Sequence, residues 1–162
     1  MNAPATWRAR SFSGLSAAIV ATAALLGFLI GLGRRSGVTW RPLNAFGRAL
    51  VGARAEDVWN FAATVTPAGG AVVLASSAVA GALAAALAAI LPGGGVALVA
   101  SVVVALLGYQ LHVHVASRGP GGLAALLSTG ELRVVYVVLA AALFAGMRLA
   151  FSPLAERSRH VS

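Results

Sequence analysis

The stretch GYQLHVHVAS, residues 108–117, gathers four side chains with chemical capacity, Tyr109, Gln110, His112 and His114, at the end of an otherwise aliphatic run. Imidazole nitrogens can ligate a metal or a haem, or pass a proton, so the spacing of the two histidines decides what is open to them. On a helix, residues two apart point about 160–200° away from each other, whereas helical ligand pairs are spaced three or four apart. His112 and His114 therefore cannot hold one ion together. Tyr109 with His112 (i, i+3) and Gln110 with His114 (i, i+4) are instead predicted to pair locally through hydrogen bonds. What remains for either histidine is a role as a polar residue at a membrane interface, as axial ligand to a pigment or haem shared with a partner subunit, or in proton handling or substrate binding.

These residues must be positioned by elements of an unusual composition. The chain has 162 residues, is 59% hydrophobic and 10% charged, and has a mean hydropathy of +0.89. An ordinary soluble domain is roughly 25% charged, and this chain has too few charges to cover a soluble surface. The net charge of +8 comes from twelve basic residues, all arginine. Most flank apolar runs, where arginine anchors helix ends among headgroups, so nucleic acid is not an expected partner and the lipid bilayer is. Cysteine is absent, which excludes disulfides, thiolate catalysis and cysteine-ligated metal. The exclusive use of arginine and the abundance of alanine and glycine suggest a bacterial chain, placed in the cytoplasmic (inner) membrane.

Four uninterrupted apolar runs are long enough to cross a hydrocarbon core about 30 Å thick. The first, 12–33, follows Arg8 and Arg10; a cleaved signal peptide ending near Ala21-Thr22-Ala23 is the competing reading, disfavoured because Ala24–Gly33 would remain as an apolar start. The second, 66–91, opens at Thr66-Pro67, with Thr66 as N-cap. LPGGG at 91–95 then forces a tight hairpin into the third, 96–116, closed by SRGPGG at 117–122. The fourth, 129–151, opens on Ser128-Thr-Gly-Glu131, a capping-box pattern, and is predicted to stop at Ser152-Pro153. The expected fold is a single membrane domain, an all-α bundle of four transmembrane helices with a short tail at 152–162.

Residues 34–65 are too polar to cross but carry a helical pattern. Leu43, Phe46, Leu50, Val58 and Phe61 fall on one side, and Asn44, Arg48 and Glu56 on the other. With Pro42 in a first turn and Gly52 as an interruption, the segment reads as one or two amphipathic helices on the membrane surface. Trp40 and Trp59 lie at headgroup depth, and Arg54 is expected to pair with Asp57. The set Trp40, Phe46, Leu50, Arg54, Asp57 and Trp59 is the candidate docking surface for a partner; the plainer reading is a connector that lids the bundle.

Helices in lipid associate through close contact at small residues. Candidate contact positions are Gly27 and Gly31 (GxxxG) in the first span; Ser76, Ala80, Ala84 and Gly81 in the second, predicted to be the most enclosed; and Ser101 in the third. Four crossings put both termini and the 92–95 hairpin on one side, and the 34–65 segment with the 117–130 loop on the other. Arginine counts of five and seven, respectively, lean toward a cytoplasmic location for the second side. His160, in the tail, is then a membrane's thickness from His112 and His114, so no bis-histidine site forms within one chain and the sequence requires no cofactor. Asp, Glu and Lys are absent from the middle of every span, and Arg133 and Arg148 lie near the ends of the fourth, where they can snorkel. Hydrolase and nucleotide motifs are also missing, so no enzyme is expected. Two functions remain: a non-catalytic accessory or structural subunit of a larger membrane complex, joined to other subunits or to itself; or a small oligomeric channel or transporter lined by Ser76, Ser77, Ser101 and Gln110.

Overall fold

The computed structural model describes residues 7–91, 95–114 and 127–157, and the side chains of 11–91, 95–114 and 127–150. Among the described residues five α-helices form: α1 (Trp7–Arg35), α2 (Arg41–Val51), α3 (Val65–Ile90), α4 (Val96–His114) and α5 (Thr129–Arg157), with a 3-10 turn at Gly52–Ala55. Four contain segments long and apolar enough to span a membrane: Ser11–Arg35, Val65–Ile90, Val96–His114 and Thr129–Ala150. The chain is thus an all-α membrane protein built on a four-helix bundle.

The long helices alternate in direction and form a ring in which α1 touches α3 and α5, and α4 touches α3 and α5. Its interior is lined by small and medium side chains: Ala17, Ala21 and Leu29 of α1, Val73 and Ala84 of α3, Ala100 of α4, and Leu143 and Met147 of α5. Large apolar residues point outward from every span, including Ile19, Leu83, Leu107 and Val137. In water such a belt would be a gross liability; in a bilayer it is the lipid-facing surface. Hydrophobicity on both sides of each helix explains why the spans show no amphipathic stripe.

Close backbone approach sets two of the seams. A Cβ built on Gly81 of α3 would lie 2.5 Å from the Gly14 carbonyl oxygen of α1, and one on Gly146 of α5 would lie 2.5 Å from the Ala17 Cα. These contacts replace the expected GxxxG seam: Gly27 and Gly31 have no heavy atom within 4 Å of a Cβ position. Ala80, Ala84 and Gly81 are buried and Ser101 fully so, but Ser76 is exposed. The expectation that the second span is most enclosed is also corrected, because α5 has the larger buried share of its span. It packs along α1 and α4, whereas α3 turns Leu74, Val79 and Leu83 outward.

The helix ends differ in how well local rules describe them. At α5 the capping box is complete: the Ser128 N–H and hydroxyl donate to Glu131 Oε2 at 2.7 and 2.9 Å, and the Glu131 N–H donates to Ser128 Oγ at 3.2 Å. At α3 the N-cap is Thr64, two residues earlier than expected, and its side chain makes no cap bond. Thr66 lies inside the first turn, with its hydroxyl turned back to accept from the Ala62 N–H at 3.0 Å. Helix α5 continues past Ser152-Pro153 to Arg157. Proline at 153 removes one N–H and crowds the carbonyl four residues back, which kinks a helix without obliging it to end. Residues 92–94 and 117–122, where turns are expected, and His160 lie outside the described residues.

Candidate functional site: the lid and the His112–Tyr136 pair

Between α1 and α3 the chain forms a lid over one end of the bundle. The chain leaves α1 through Gly37, whose φ of 72° suits a residue without a Cβ. Helix α2 then lies against the first turns of α3, where Gly47 and Gly69 bring the two backbones together. Leu43 and Gly47 are buried against α3, and Ala45 is buried as well. The polar side of α2 is not left to solvent, because residues 56–64 fold back across it.

Asn44 is the centre of that closure. It is fully buried, and its Nδ2 donates to the carbonyl oxygens of Val58 and Asn60, each at 2.9 Å. Its Oδ1 accepts from the Thr66 hydroxyl at 2.7 Å. One amide thereby joins α2, the return segment and α3, using both donors in a site shielded from water. The sequence pattern places Asn44 on a solvent-facing side; the structure corrects this, because the pattern carries no information about a segment that returns over the polar side.

Cations and aromatic rings reinforce the lid. Arg48 pairs with Glu56 at 2.8 Å, in place of the expected Arg54–Asp57 pair, and Arg54 and Asp57 are both exposed. The Arg41 guanidinium lies 4.6 Å from the Trp59 ring centroid and donates to the Ala55 carbonyl at 3.0 Å. Trp40 and Phe61 meet edge to face, with centroids 5.3 Å apart. Of the expected docking residues, Trp40 and Phe46 are half-buried, whereas Leu50 and Trp59 are 63% and 52% exposed. Phe61, also exposed, extends that outward apolar set.

On the same side of the bundle, His112 of α4 faces α5. Its Nδ1 is 3.1 Å from the Tyr136 hydroxyl, and the Tyr136 ring stands edge to face with Tyr109 at 5.6 Å. The Tyr136 ring lies over Gly108, where a Cβ would be 3.0 Å from its Cε1. The partner of His112 is therefore a tyrosine on the neighbouring helix and not Tyr109, which supplies only a ring contact. Gln110 and His114 are exposed on outer faces of α4. Among the described residues the buried Nε2 of His112 has no hydrogen-bond partner, and no group of three or more His, Asp or Glu side chains converges as a metal site.

The His112–Tyr136 contact is one neutral hydrogen bond between two helices, a type worth about 0.6 kcal/mol in membrane bundles. Tyr136→Phe, which keeps the rings and deletes the bond, is expected to cost about that much in detergent unfolding. Gly108→Val, which displaces the ring itself, is expected to cost about 1–3 kcal/mol by overpacking. A single absorption spectrum of the purified protein checks the remaining chemistry: a band that His112→Ala abolishes would show a ligated chromophore. No known protein-family model, curated protein or solved structure matches the chain.

Proposed function

We propose that this chain is a non-catalytic structural or accessory subunit of a larger membrane assembly, in a bacterial cytoplasmic membrane, and that its lid is the surface that meets the partner. The observation that supports this reading is the Asn44 network. A connector needs only to span the distance from α1 to α3. This one is fastened by a buried, fully hydrogen-bonded amide and holds Leu50, Trp59 and Phe61 outward on a fixed frame. Rigid presentation of aromatic and aliphatic groups lowers the ordering cost of association, which is how preorganised surfaces gain affinity.

The channel reading gains less from the geometry. Ser76 and Gln110 point out of the bundle while Ser77 and Ser101 point in, and the Ser101 hydroxyl donates to the Ala97 carbonyl of its own helix at 2.7 Å. The four do not line a common path within one chain.

Mild detergent extraction followed by native mass spectrometry tests the proposal. A complex with another polypeptide is expected, lost in the Leu50→Ser/Trp59→Ala variant while the bundle stays folded. Recovery of the wild-type chain only as a monomer or homo-oligomer, or a complex indifferent to those two residues, overturns it.

A further inference from the structure

On the outer flank of the α1–α5 seam, at the lid end, lies a groove of about 920 Å³. The two helices touch backbone to backbone at Gly146 and Ala17, near the opposite end of the bundle, but Gly27 and Gly31 face open space. Gly27, Gly31 and Arg35 follow one another at intervals of four and so form one ridge of α1, facing Val134 of α5 across the gap. From Gly27 to Arg35 the ridge rises about 12 Å. It therefore runs from inside the hydrocarbon layer, where it has no side chain, to the headgroup level, where it ends in an exposed guanidinium beside Arg34.

Glu131, also on the rim, keeps its negative charge while its Oε2 accepts from Ser128 in the capping box, so it offsets part of the positive charge, and Arg34 with Arg35 leave the mouth net cationic. In a bilayer such a slot does not stay empty or wet, since the surrounding solvent is acyl chain. A channel apolar within and cationic at its mouth complements a molecule with a hydrocarbon tail and an anionic head. A second copy of this chain is a poorer complement, because pairing through this ridge would bring Arg34 and Arg35 against the like charges of another copy in any parallel arrangement.

We propose that this groove is a binding site for one anionic phospholipid, with an acyl chain laid over Gly27 and Gly31 and the phosphate paired with Arg35. The proposal is independent of the partner assigned to the lid. Lipid headgroup attraction is worth about fivefold in affinity per arginine near the surface, and filling the slot removes the chain's seat altogether.

The test is native mass spectrometry of the full-length chain, delipidated and titrated with phosphatidylglycerol or phosphatidylcholine. The wild type is expected to hold one phosphatidylglycerol in preference to phosphatidylcholine. Gly27→Leu/Gly31→Leu, whose Cβ atoms meet nothing within 4 Å and whose side chains would occupy the slot, is expected to weaken that adduct by about tenfold or more. Arg35→Gln leaves the slot intact and is expected to lose about fivefold of the preference for the anionic lipid. The site is overturned if the leucine variant keeps the wild-type adduct, if Arg35→Gln keeps the preference, or if the leucine variant instead dissociates a dimer, which would make a second copy the occupant.

Discussion

Asn44→Ala is expected to release the lid while leaving the four spans folded. The substitution deletes three hydrogen bonds, at 2.9, 2.9 and 2.7 Å, from a residue with no exposed surface. Leaving buried partners unsatisfied costs about 1–3 kcal/mol for each group that water cannot reach. The Val58 and Asn60 carbonyls belong to a surface segment that can swing out to solvent, so the loss is expected to be about 2–4 kcal/mol and to appear as local opening. Asn44→Asp separates hydrogen bonding from packing. It has the same shape, yet places a carboxylate oxygen against two carbonyl oxygens, and it is expected to be at least as damaging as alanine. Because the chain has no cysteine, one introduced thiol gives a clean readout. Ala55→Cys, at a position 1% exposed in the 3-10 turn, is expected to react slowly in the wild-type background and at least about tenfold faster beside Asn44→Ala, since each 1.4 kcal/mol of opening is a factor of ten. Equal rates would mean that the amide does not hold the lid.

The same residue shows where sequence reasoning stops. The four spans and the α5 capping box are legible because each depends on neighbours within a few positions: an unbroken apolar run, or a serine and a glutamate three residues apart. The helical pattern of α2 is legible for the same reason, but its apolar side divides in the structure, with Leu43 buried and Leu50 exposed. Asn44 is misplaced because its partners lie 14 and 16 residues away on a return segment whose path no periodicity encodes, and 22 residues away on α3. The Arg48–Glu56 ion pair, which displaces the expected Arg54–Asp57 pair, depends on that same path. The His112–Tyr136 contact spans 24 residues and two helices. One signal for it was available: Gly108, one turn before His112 in an otherwise aliphatic run, is where a neighbouring aromatic ring can lie against the backbone.

The small-residue motifs fail in an instructive way, and Gly146→Ala tests the reason. GxxxG at Gly27 and Gly31 is the most recognisable motif in the chain, yet a methyl group at either position meets nothing within 4 Å. At Gly146 the same methyl would lie 2.5 Å from the Ala17 Cα, 2.7 Å from the Ser16 carbonyl oxygen and 2.9 Å from the Ala17 nitrogen. All three are backbone atoms, so no rotamer change relieves the clash and α1 must move as a body. Ser16 Oγ, which donates to the Gly146 carbonyl at 2.8 Å, would be carried away with it. Overpacking of this kind costs about 1–3 kcal/mol, and the lost interhelical hydrogen bond adds about 0.6 kcal/mol. Gly27→Ala and Gly31→Ala are expected to be neutral or stabilising by up to about 1 kcal/mol, because alanine is the better helix former and nothing opposes it. Unfolding titrations in mixed detergent micelles should therefore separate Gly146→Ala from Gly27→Ala by about 2–4 kcal/mol, in the direction opposite to the one the motif implies. Equal stabilities would show that α1 and α5 do not meet at Gly146. A loss at Gly27 in place of Gly146 would move the seam to the lid end and close the groove there.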